Sequence, residues 1–572
     1  MAILRNDQAL FTFAPEGAKG GYAETATGSA SGADTNIATT AAAAGDTSIT
    51  VASVSSIAVG DFLRIGTIAG SYAATVFPTE IRRVEHIDDP QIYLDAPLGF
   101  NHPIGATGGK VMEVTAITAF GTGTTTDGYP TSADNPLINL TPGIWETIDV
   151  PDPEPTITPR WFLGNGNKRG FSVVTAGMQN YVGSVPNMVL LNGKALRFAI
   201  GKVVTKPRAS DLAGRTITIT AAANKGDIYI TASGSHAFIA DDLVCIEDAS
   251  TTLSEVRRVV AVPTTNVLKL DHPLQFAHDS GVSIDEVGAD GSGATYYTHT
   301  ITETTDLDSV TWHVAMLDSA ESTTFIRRYY GGKIGQLTLE AEEGELLNAS
   351  WDSVNFMGMV HNQATRLGAG DLGYGATKMP MHALMHNITN TQVEYPTTEP
   401  YYFSQGSVNF FGTEFARIRN FNLSISNNDE PRHYITARHG RNRGPSEIVE
   451  GRREYTMACT LVLPDANATE SATVANSQTL FKELLLEGNY GTTTTPSNTG
   501  FAIVLTFTRG ADDTMTITVP DDGTAAAGIQ ESGAYIMSAT HNIGTDGPMQ
   551  VEVDMILRNL KIVIVDSDYL YV

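Results

Sequence analysis

Charge is scarce in this chain, and basic residues are scarcer than acidic ones. Only 17% of the 572 residues are charged, and 63 acidic residues against 36 basic ones give a formal net charge of −27. A strongly negative protein repels the phosphates of nucleic acid, so the composition argues against a protein that wraps DNA on a basic surface. It leaves open a protein that encloses DNA which must slide without sticking.

Cysteines and long hydrophobic runs are also few. The two cysteines, Cys245 and Cys459, lie far apart in strand-like segments, so we expect small buried apolar residues and no disulfide framework. Apolar runs such as Met188–Leu191 and Ile562–Val565 are far too short to cross a bilayer. The first residues lack the apolar core of a signal peptide. We therefore expect a soluble protein that is made in a cytoplasm.

Motifs for catalysis, cofactor binding and metal binding are missing as well. Gly164–Asn167 (GNGN) lacks the Lys-Ser/Thr of a phosphate-binding loop. His382 and His386 are four residues apart, but no Glu follows His382 as the zinc-protease pattern requires. The carboxylates of Glu340–Glu345 (EAEEGE) fit a solvated turn better than a glycosidase pair. We predict no catalytic, cofactor-binding or metal-binding residues and no enzymatic activity.

The chain is rich in short segments of alternating apolar and polar residues, and the stretches between them are rich in turn-forming residues. Phe421–Ile425 and Glu454–Leu463 place apolar side chains at every second position, which indicates half-buried strands. The low charge and the many Gly, Thr, Ala and Ser residues predict a mainly β protein. Two short helices are predicted as well, at Pro186–Arg197 and at Gln478–Leu486.

One internal repeat is plain. Glu80–Gly105 (EIRRVEHIDDPQIYLDAPLGFNHPIG) and Glu255–Gly281 (EVRRVVAVPTTNVLKLDHPLQFAHDSG) share E-[IV]-R-R-V followed by L-D-x-P-L-x-F-x-H. With its flanking segments, each copy reads as about five short strands in roughly 70 residues, a small β-module. His102 and His278 recur at one position of the repeat. We expect their imidazoles to cap a turn rather than to bind a metal.

A fainter duplication repeats the order strand, basic arm, strand, short helix, hairpin, strand. The first arm is Gly164–Gly170 and the second is Arg438–Pro445. The second lies in a polar stretch that is too long for a simple turn, and mixed charge suits polar contacts between molecules. The residues that we predict to contact a neighbouring subunit are Asn165, Asn167, Lys168, Arg169, Arg438, His439, Arg441, Asn442 and Arg443.

Segments in a fixed order along the chain carry a family resemblance. They are Phe11–Glu24 (FTFAPEGAKGGYAE), Pro142–Glu154 (PGIWETIDVPDPE), Phe325–Asn348 (FIRRYYGGKIGQLTLEAEEGELLN), and Phe421–Asn428 (FNLSISNN) with Ile448–Thr460 (IVEGRREYTMACT). Together they resemble the major tail tube proteins of tailed bacteriophages. The two β-modules depart from that family and interrupt its elements, so we expect them on outward-facing loops, where added length costs little.

The resemblance implies a mainly β fold with two tail-tube-type, barrel-forming β-sandwich domains in tandem. Each is expected to have a short helix, and the two small β-modules are insertions. The expected first tube domain is discontinuous and comprises residues 1–44, 119–212 and 291–362. The expected remaining parts are module 1 (45–118), module 2 (213–290), a linker (363–400) and the second tube domain (401–572).

The resemblance also implies a structural virion protein that polymerises into stacked rings. The acidic lumen of the tail tube would conduct the double-stranded DNA genome. If one chain holds two tube domains, three chains complete a pseudo-hexameric ring; a hexamer of single-domain chains is the alternative. The implied partners are other copies of the chain, the tape measure protein and genomic DNA in the lumen, and tail terminator and distal tail proteins. The implied location is the virion tail, after assembly in the host cytoplasm and without membrane insertion.

A host- or glycan-binding adhesin with β-modules is the other class of function that the sequence allows. It predicts clusters of exposed aromatic side chains on the modules. The aromatic residues there are sparse and mostly at strand-like core positions: Tyr72, Phe77, Tyr93, Phe100, Tyr229, Phe238 and Phe276.

Overall fold

The structure is a computed structural model of the chain. It describes residues 9–17, 34–66, 80–105, 109–113, 140–161, 171, 173–212, 215–234, 237–247, 253–288, 291–317, 323–361, 398–410, 413–415, 418–434, 444–462, 501–510, 512–521, 533–542 and 547–571.

The described residues form many short strands and one α-helix. In chain order they are β1 (Ala9–Pro15), β2 (Asp34–Asn36), β3 (Ser48–Thr50), β4 (Phe62–Ile65), β5 (Glu80–Asp88), β6 (Gln91–Leu94), β7 (Lys110–Glu113), β8 (Ile144–Trp145), β9 (Glu154–Arg160), β10 (Val173–Val189), α1 (Arg197–Ile200), β11 (Gly201–Pro207), β12 (Thr216–Thr218), β13 (Tyr229–Thr231), β14 (Leu243–Glu247), β15 (Glu255–Thr264), β16 (Val267–Leu270), β17 (Ser283–Glu286), β18 (Tyr297–Glu303), β19 (Val310–Leu317), β20 (Thr323–Glu342), β21 (Asn348–Phe356), β22 (Gly358–His361), β23 (Gly406–Phe410), β24 (Thr413–Phe415), β25 (Ile418–Ser426), β26 (Glu430–Arg432), β27 (Glu447–Val449), β28 (Glu454–Val462), β29 (Ile503–Gly510), β30 (Asp513–Val519), β31 (Ala534–Asn542), β32 (Gln550–Leu557) and β33 (Lys561–Asp566).

Two large antiparallel sheets share one hydrophobic core. The first has twelve strands, with β31-β32-β28-β25-β20-β21-β10-β8 as its main path, which forms a half-barrel, and with β1, β9, β19 and β22 attached. The second has seven strands in the order β11-β18-β33-β30-β29-β23-β24. Trp312 and Trp351 stack in the core with their ring centroids 5.8 Å apart. The prediction of a mainly β fold is confirmed.

Strict alternation explains why β28 is a strand of this sheet. Tyr455, Met457 and Leu461 are buried in the shared core, whereas Glu454 and Thr456 on the other face are exposed. Burying one large apolar side chain contributes about 1.5–3 kcal/mol, so a slip of one residue would lose several such contributions at once.

The main path repeats one order of four strands. β31-β32-β28-β25 is followed by β20-β21-β10-β8, so that β20 takes the place of β31, β21 that of β32, and β10 that of β28. Side chains agree with this correspondence: Tyr455 of β28 lies opposite Leu557, and Tyr181 of β10 lies opposite Phe356. The two halves meet where β25 pairs with β20.

The prediction of a helix at Pro186–Arg197 is wrong in its bounds. Strand β10 continues to Val189, and the only α-helix of the described residues begins at Arg197 and ends at Ile200. Proline is tolerated in strands at irregular positions, and the β10–β21 register shifts between Val185 and Met188, around Pro186. The second predicted helix, Gln478–Leu486, lies outside the described residues.

The two copies of the repeat fold into identical sheets. Their strand orders are β2-β7-β4-β5-β6-β3 and β12-β17-β14-β15-β16-β13, so each copy has six strands rather than the expected five. Each sheet encloses a small core of its own, around Val84 in the first copy and Val259 in the second. We call the sheet β2–β7 module 1 and the sheet β12–β17 module 2.

A buried carboxylate organises each module. In module 1, Glu80 lies 2.5 Å from the Arg82 guanidinium and 2.7 Å from His102 Nε2, and it accepts a hydrogen bond from the Gly99 N–H at 2.9 Å. Burial favours a higher pKa for the Glu80 carboxyl, but Arg82, His102 and Gly99 together outweigh burial and lower that pKa.

Module 2 repeats this arrangement with the same distances. Glu255 lies 2.5 Å from Arg257 and 2.7 Å from His278 Nε2, and it accepts the Gln275 N–H at 2.9 Å. The pKa of Glu255 is likewise lowered, because its partners outweigh its burial. The repeated histidines therefore bind buried carboxylates rather than cap a turn as the sequence suggested.

Both modules contact the body formed by the two large sheets through the same turn of the repeat. The Tyr330 hydroxyl donates to the Asp95 carbonyl at 3.3 Å, and the Tyr569 hydroxyl donates to the carboxylate of Asp271, the equivalent residue of module 2, at 3.0 Å. The Gln275 side chain adds two hydrogen bonds to the backbone of Val203, at 2.7 and 2.8 Å.

Candidate assembly surfaces

The open face of the main path is polar and acidic. Because side chains alternate between the two faces, every second residue of each strand lies on this face. Residues paired across neighbouring strands form rows, such as Glu342–Asn420–Thr460–Glu552 and Glu340–Asn422–Ala458–Asp554. The exposed carboxylates of the face are Glu340, Glu342, Asp352, Glu454, Glu552 and Asp554. We call this surface the acidic face.

Short hydroxyl side chains hold two of these carboxylates. Thr338 Oγ1 and Ser350 Oγ each donate to Asp352 at 2.6 Å, and Ser538 Oγ donates to Asp554 at 2.5 Å. Such donors stabilise a carboxylate without neutralising its charge.

Basic residues are absent from the rows of the acidic face. The strand segments 336–342, 350–352, 420–426, 454–460, 538–540 and 552–556 contain no lysine or arginine. Like charges on one wall create a negative potential that repels phosphates.

Part of the acidic face corrects the sequence interpretation of Glu340–Glu345. Glu340 and Glu342 belong to strand β20 and point to the open face, and the solvated turn is confined to the residues after Glu342. The strand alternation of QLTLEAE, which continues to Glu342, was the signal that could have revealed this.

Two edges of the sheet carry no neighbouring strand over part of their length among the described residues. β31 pairs with β32 on one side, and on its other side Ala534 bridges to Phe501, which leaves residues 537–542 beyond that bridge. On the far side of the sheet, β8 and β9 pair with β10 alone among the described strands. Unpaired edges offer N–H and C=O groups to another chain, and natural proteins protect or use them.

The junction of β25 with β20 shows how two such edges are joined within this chain. Seven residues of each strand pair, from Gln336 opposite Ser426 to Glu342 opposite Asn420. Behind the pairing, Asn427 Nδ2 donates to the Ile334 carbonyl at 2.8 Å.

Buried charges reinforce this internal junction. The Arg453 guanidinium donates to Asn427 Oδ1 at 2.7 Å, and Lys333 Nζ lies 2.6 Å from Glu450. The Lys333 side chain is only 1% exposed, so its charge depends on the pairing with Glu450 for compensation.

The β9–β10 hairpin exposes large apolar side chains on a two-stranded ribbon. Ile157 is 60% exposed, Trp161 63% and Met178 57%. A two-stranded ribbon is marginally stable alone, and contiguous exposed apolar surface marks a site of protein association. The alternation of TITPRW, which places Ile157 and Trp161 on one face, was the sequence signal for two of these residues; Met178 lies on the other strand of the hairpin.

All nine residues predicted to contact a neighbouring subunit lie outside the described residues. Residues 165–169 stand between β9 and β10 in the sequence, and residues 438–443 stand between β26 and β27, which also pair with each other. The two hairpins approach each other where His433 Nε2 lies 3.1 Å from Asn180 Oδ1. The structure thus brings the bases of the two arms to one side of the sheet.

The remaining candidate residues have structural surroundings. Cys245 and Cys459 are both buried and unpaired with each other, as predicted, and burial raises the pKa of the Cys459 thiol to about 12. Within the described residues, no group of three or more His, Cys, Asp or Glu side chains could hold a metal ion. His382 and His386 lie outside them. No helix in the described part of the chain has the length and apolar character to cross a membrane.

The aromatic residues of the modules do not form an exposed platform in the described regions. Tyr93, Phe100, Phe238 and Phe276 are buried, and Tyr229 is half-buried. Tyr72 and Phe77 lie outside the described residues. This placement gives no support to an aromatic glycan-binding surface.

Comparison with known proteins identifies a family. A sequence profile of the family described as phage tail tube protein matches residues 116–556, which is more than half of the chain. No curated protein matches the chain.

Proposed function

The chain belongs to the phage tail tube protein family, and from this membership we propose that three copies close into a ring whose inner wall is the acidic face. The family implies a structural component of the virion tail that assembles with itself into a tube. The ring of three copies, the identity of its lumen wall and the passage of DNA are the proposal.

The repeated order of four strands is the observation that carries the proposal. One chain supplies eight strands of a curved, open sheet, in two groups of four that follow each other in the same direction. When copies join head to tail, each copy is rotated relative to the previous one by the same angle. Such a heterologous interface generates a closed ring when the rotations add up to a full turn. Three copies contribute 24 strands with pseudo-sixfold symmetry.

The dimensions of such a barrel suit DNA. At ~4.8 Å per strand, 24 strands give a circumference of ~115 Å and a backbone diameter of roughly 37 Å before strand tilt widens it. After inward side chains are subtracted, the bore admits a duplex about 20 Å across. If the apolar face of the twelve-stranded sheet lined the bore instead, the hydrophobic core that the two sheets share would be exposed to water.

The chemistry of the acidic face suits transport without binding. Exposed carboxylates at Glu342 and Glu552 in one row, and at Glu340 and Asp554 in the next, face the path of the phosphates. Negative walls with no lysine or arginine in their rows provide no site where the DNA backbone would be held.

The modules fit the outside of the ring. Their hydrogen bonds to the tube sheets involve Tyr330, Val203 and Tyr569, none of which lies on the acidic face. Module 2 also contacts the segment before β19, where Lys225 pairs with Asp308. We place both modules on the outer surface, away from the lumen.

The hairpin β9–β10 and the two arms provide the surfaces for stacking rings. Ile157, Trp161 and Met178 would be covered by a copy in the next ring, and the arm residues 165–169 and 438–443 would add polar contacts. Tape measure, tail terminator and distal tail proteins are the further partners we propose, with assembly in the host cytoplasm.

Electron microscopy of the purified full-length chain tests the proposal. We expect hollow tubes built from rings with threefold symmetry, and rings dissociated from them with a mass about three times 61.0 kDa. Rings of six chains would refute the trimer. A compact particle that binds sugars and forms no tube would refute the tube and favour the adhesin.

A further inference from the structure

We propose that residues 537–542 of β31 in one chain pair with residues 149–154 of the next copy, in the register of the internal β25–β20 junction. This inference rests on the proposed ring and specifies which strands meet between chains. The basis is that each chain already contains one junction between its two groups of four strands, in which β25 pairs with β20.

The first step is the correspondence of β31 with β20. Ile334 lies opposite Val354 in the β20–β21 pair, and Ile536 lies opposite Met555 in the β31–β32 pair. In both strands the register shifts directly after that isoleucine, at Gly335 and at Met537.

The β20–β21 pair shifts a second time, between Gln336 and Leu337, but the extra residue, Asp352, lies in β21 and not in β20. The residue count along β20 therefore stays in step with that along β31. Leu337 opposite Trp351 corresponds to Ala539 opposite Val553. Counting on from this pair, Asn542 stands where Glu340 stands in β20.

The second step is the correspondence of the segment after β8 with β25. Because Tyr181 of β10 matches Tyr455 of β28, Ser184 matches Ala458. Ala458 lies opposite Asn422 of β25, and Ser184 lies opposite Asp149. Asp149 therefore stands where Asn422 stands.

Combining the two steps gives the register between chains. Glu340 and Asn422 are directly opposite each other in the internal junction, so Asn542 of one copy lies opposite Asp149 of the next. The Asn427 N–H donates to the Gly335 carbonyl at 2.7 Å, so residues 335 and 427 form a hydrogen-bonded pair. Hydrogen-bonded and non-hydrogen-bonded pairs alternate along an antiparallel ladder, and Glu340 opposite Asn422 is the fifth pair after this one. Glu340 and Asn422 are thus a non-hydrogen-bonded pair, the kind whose Cα atoms approach most closely, to about 4.5 Å.

The chemistry of the two joins differs at the register shift. In the internal junction the residue at the shift is Gly335, whose carbonyl accepts the Asn427 N–H. In β31 the residue at the shift is Met537, whose side chain is 66% exposed. A methionine this exposed, on the last strand of the main path, fits a surface that a neighbour covers. The neighbour's Pro153, which takes the place of Ser426, would supply part of that cover.

Cysteine pairs test the register directly. We would introduce Asn542→Cys with Asp149→Cys, assemble tubes under reducing conditions, oxidise them and separate the chains without reductant. Disulfides between copies should convert most chains into covalent dimers and trimers. The native Cys245 and Cys459 are buried and should contribute little.

Two matched variants control the geometry. In Glu340→Cys with Asn422→Cys the two introduced thiols should form a disulfide within one chain, so the oxidised chains should still separate as monomers. Asn542→Cys with Glu146→Cys, displaced by three residues or about 10 Å along the strand, should remain monomeric.

The outcomes separate this inference from the proposed function. Tubes whose chains stay uncross-linked at 542 and 149 would leave the tube intact and overturn the register. If the double variant fails to assemble, hydrogen exchange of the unmodified chain decides: the β31 amides should gain protection in tubes, and unchanged exchange there overturns the pairing.

Discussion

A single buried carboxylate is the residue on which each module depends most. Glu80 connects strand β5 with Arg82, with His102 and with the backbone of the loop at Gly99. The frame E-[IV]-R-R-V revealed the repeat in the sequence. It did not reveal that Glu80 and Arg82 are both buried, because charged side chains are expected at the surface.

Glu80→Gln should destabilise module 1 strongly. The substitution removes the carboxylate that lies 2.5 Å from the buried Arg82 guanidinium, and breaking such a buried ion pair costs about 3 kcal/mol. Hydrogen exchange of the Gly99 amide, measured in the full chain, should then be faster by roughly 100-fold if exchange follows opening of the module. Asp88→Asn, at an exposed position of β5, is the matched control and should change exchange little.

The same carboxylates predict acid sensitivity of both modules. The folded-state pKa values of Glu80 and Glu255 are lowered, so their stabilising contribution is present above the unfolded value near ~4.3 and is lost as pH falls through the folded values. Protection factors of the Gly99 and Gln275 amides should hold from pH 7 to pH 5 and decline in more acidic solution. In Glu80→Gln, module 1 should lose much of this pH dependence while module 2 keeps it; a response of both modules identical to that of the unmodified chain would contradict the assignment.

At the scale of elements, hairpins and strands carry the contacts between copies that we propose. Alternation in the sequence predicted strands at Phe421–Ile425 and Glu454–Leu463, and β25 and β28 confirm both. The helix at Pro186–Arg197 failed because local apolar spacing there serves a strand that packs on β21. For a similar reason, the exposure of the apolar side chains of β9–β10 could not be predicted from the sequence, because exposure depends on which elements pack against the hairpin.

Trp161→Ser with Met178→Ser should prevent or slow polymerisation while the isolated chain stays folded. Both side chains are mostly exposed in the single chain, so their removal costs it little, whereas a stacked ring would lose apolar contact area. Sedimentation of assembled tubes and circular dichroism of the soluble chain measure the two effects. Ile239→Ser, at a module residue that is 65% exposed, is the control and should assemble normally. Normal tube yield from the double variant would show that the hairpin is not a contact between rings.

Deletion of residues 438–444 should likewise leave the sheets folded and stop polymerisation. The neighbouring strands β26 and β27 pair with each other outside the deleted segment, so a short turn can connect them. Electron microscopy and the circular dichroism spectrum of the soluble fraction distinguish lost assembly from lost folding. Tubes of normal length from this variant would refute the role of the arm.

At the scale of the whole molecule, family resemblance and composition together predicted more than periodicity did. The acid excess suggested an acidic lumen, but it could not say which carboxylates lie there, because that depends on the register of eight strands from distant parts of the chain. Glu342 and Glu552 become neighbours in one row only through the intervening β25 and β28. Such non-local pairing is not encoded in any short segment.

Reversing charge on the acidic face should make the tube hold DNA. In Glu342→Lys with Glu552→Lys, three copies place six lysines around each ring, and each phosphate contact would bind DNA in a salt-dependent manner. Tubes incubated with short linear duplexes at low salt should then protect DNA from nuclease, and moderate salt should release it. Asp88→Lys with Asp279→Lys makes the same change in net charge on exposed module residues and should protect no DNA inside the tube. Equal protection by both variants would place Glu342 and Glu552 outside the lumen, because only a wall that faces the bore can shield the duplex from the enzyme.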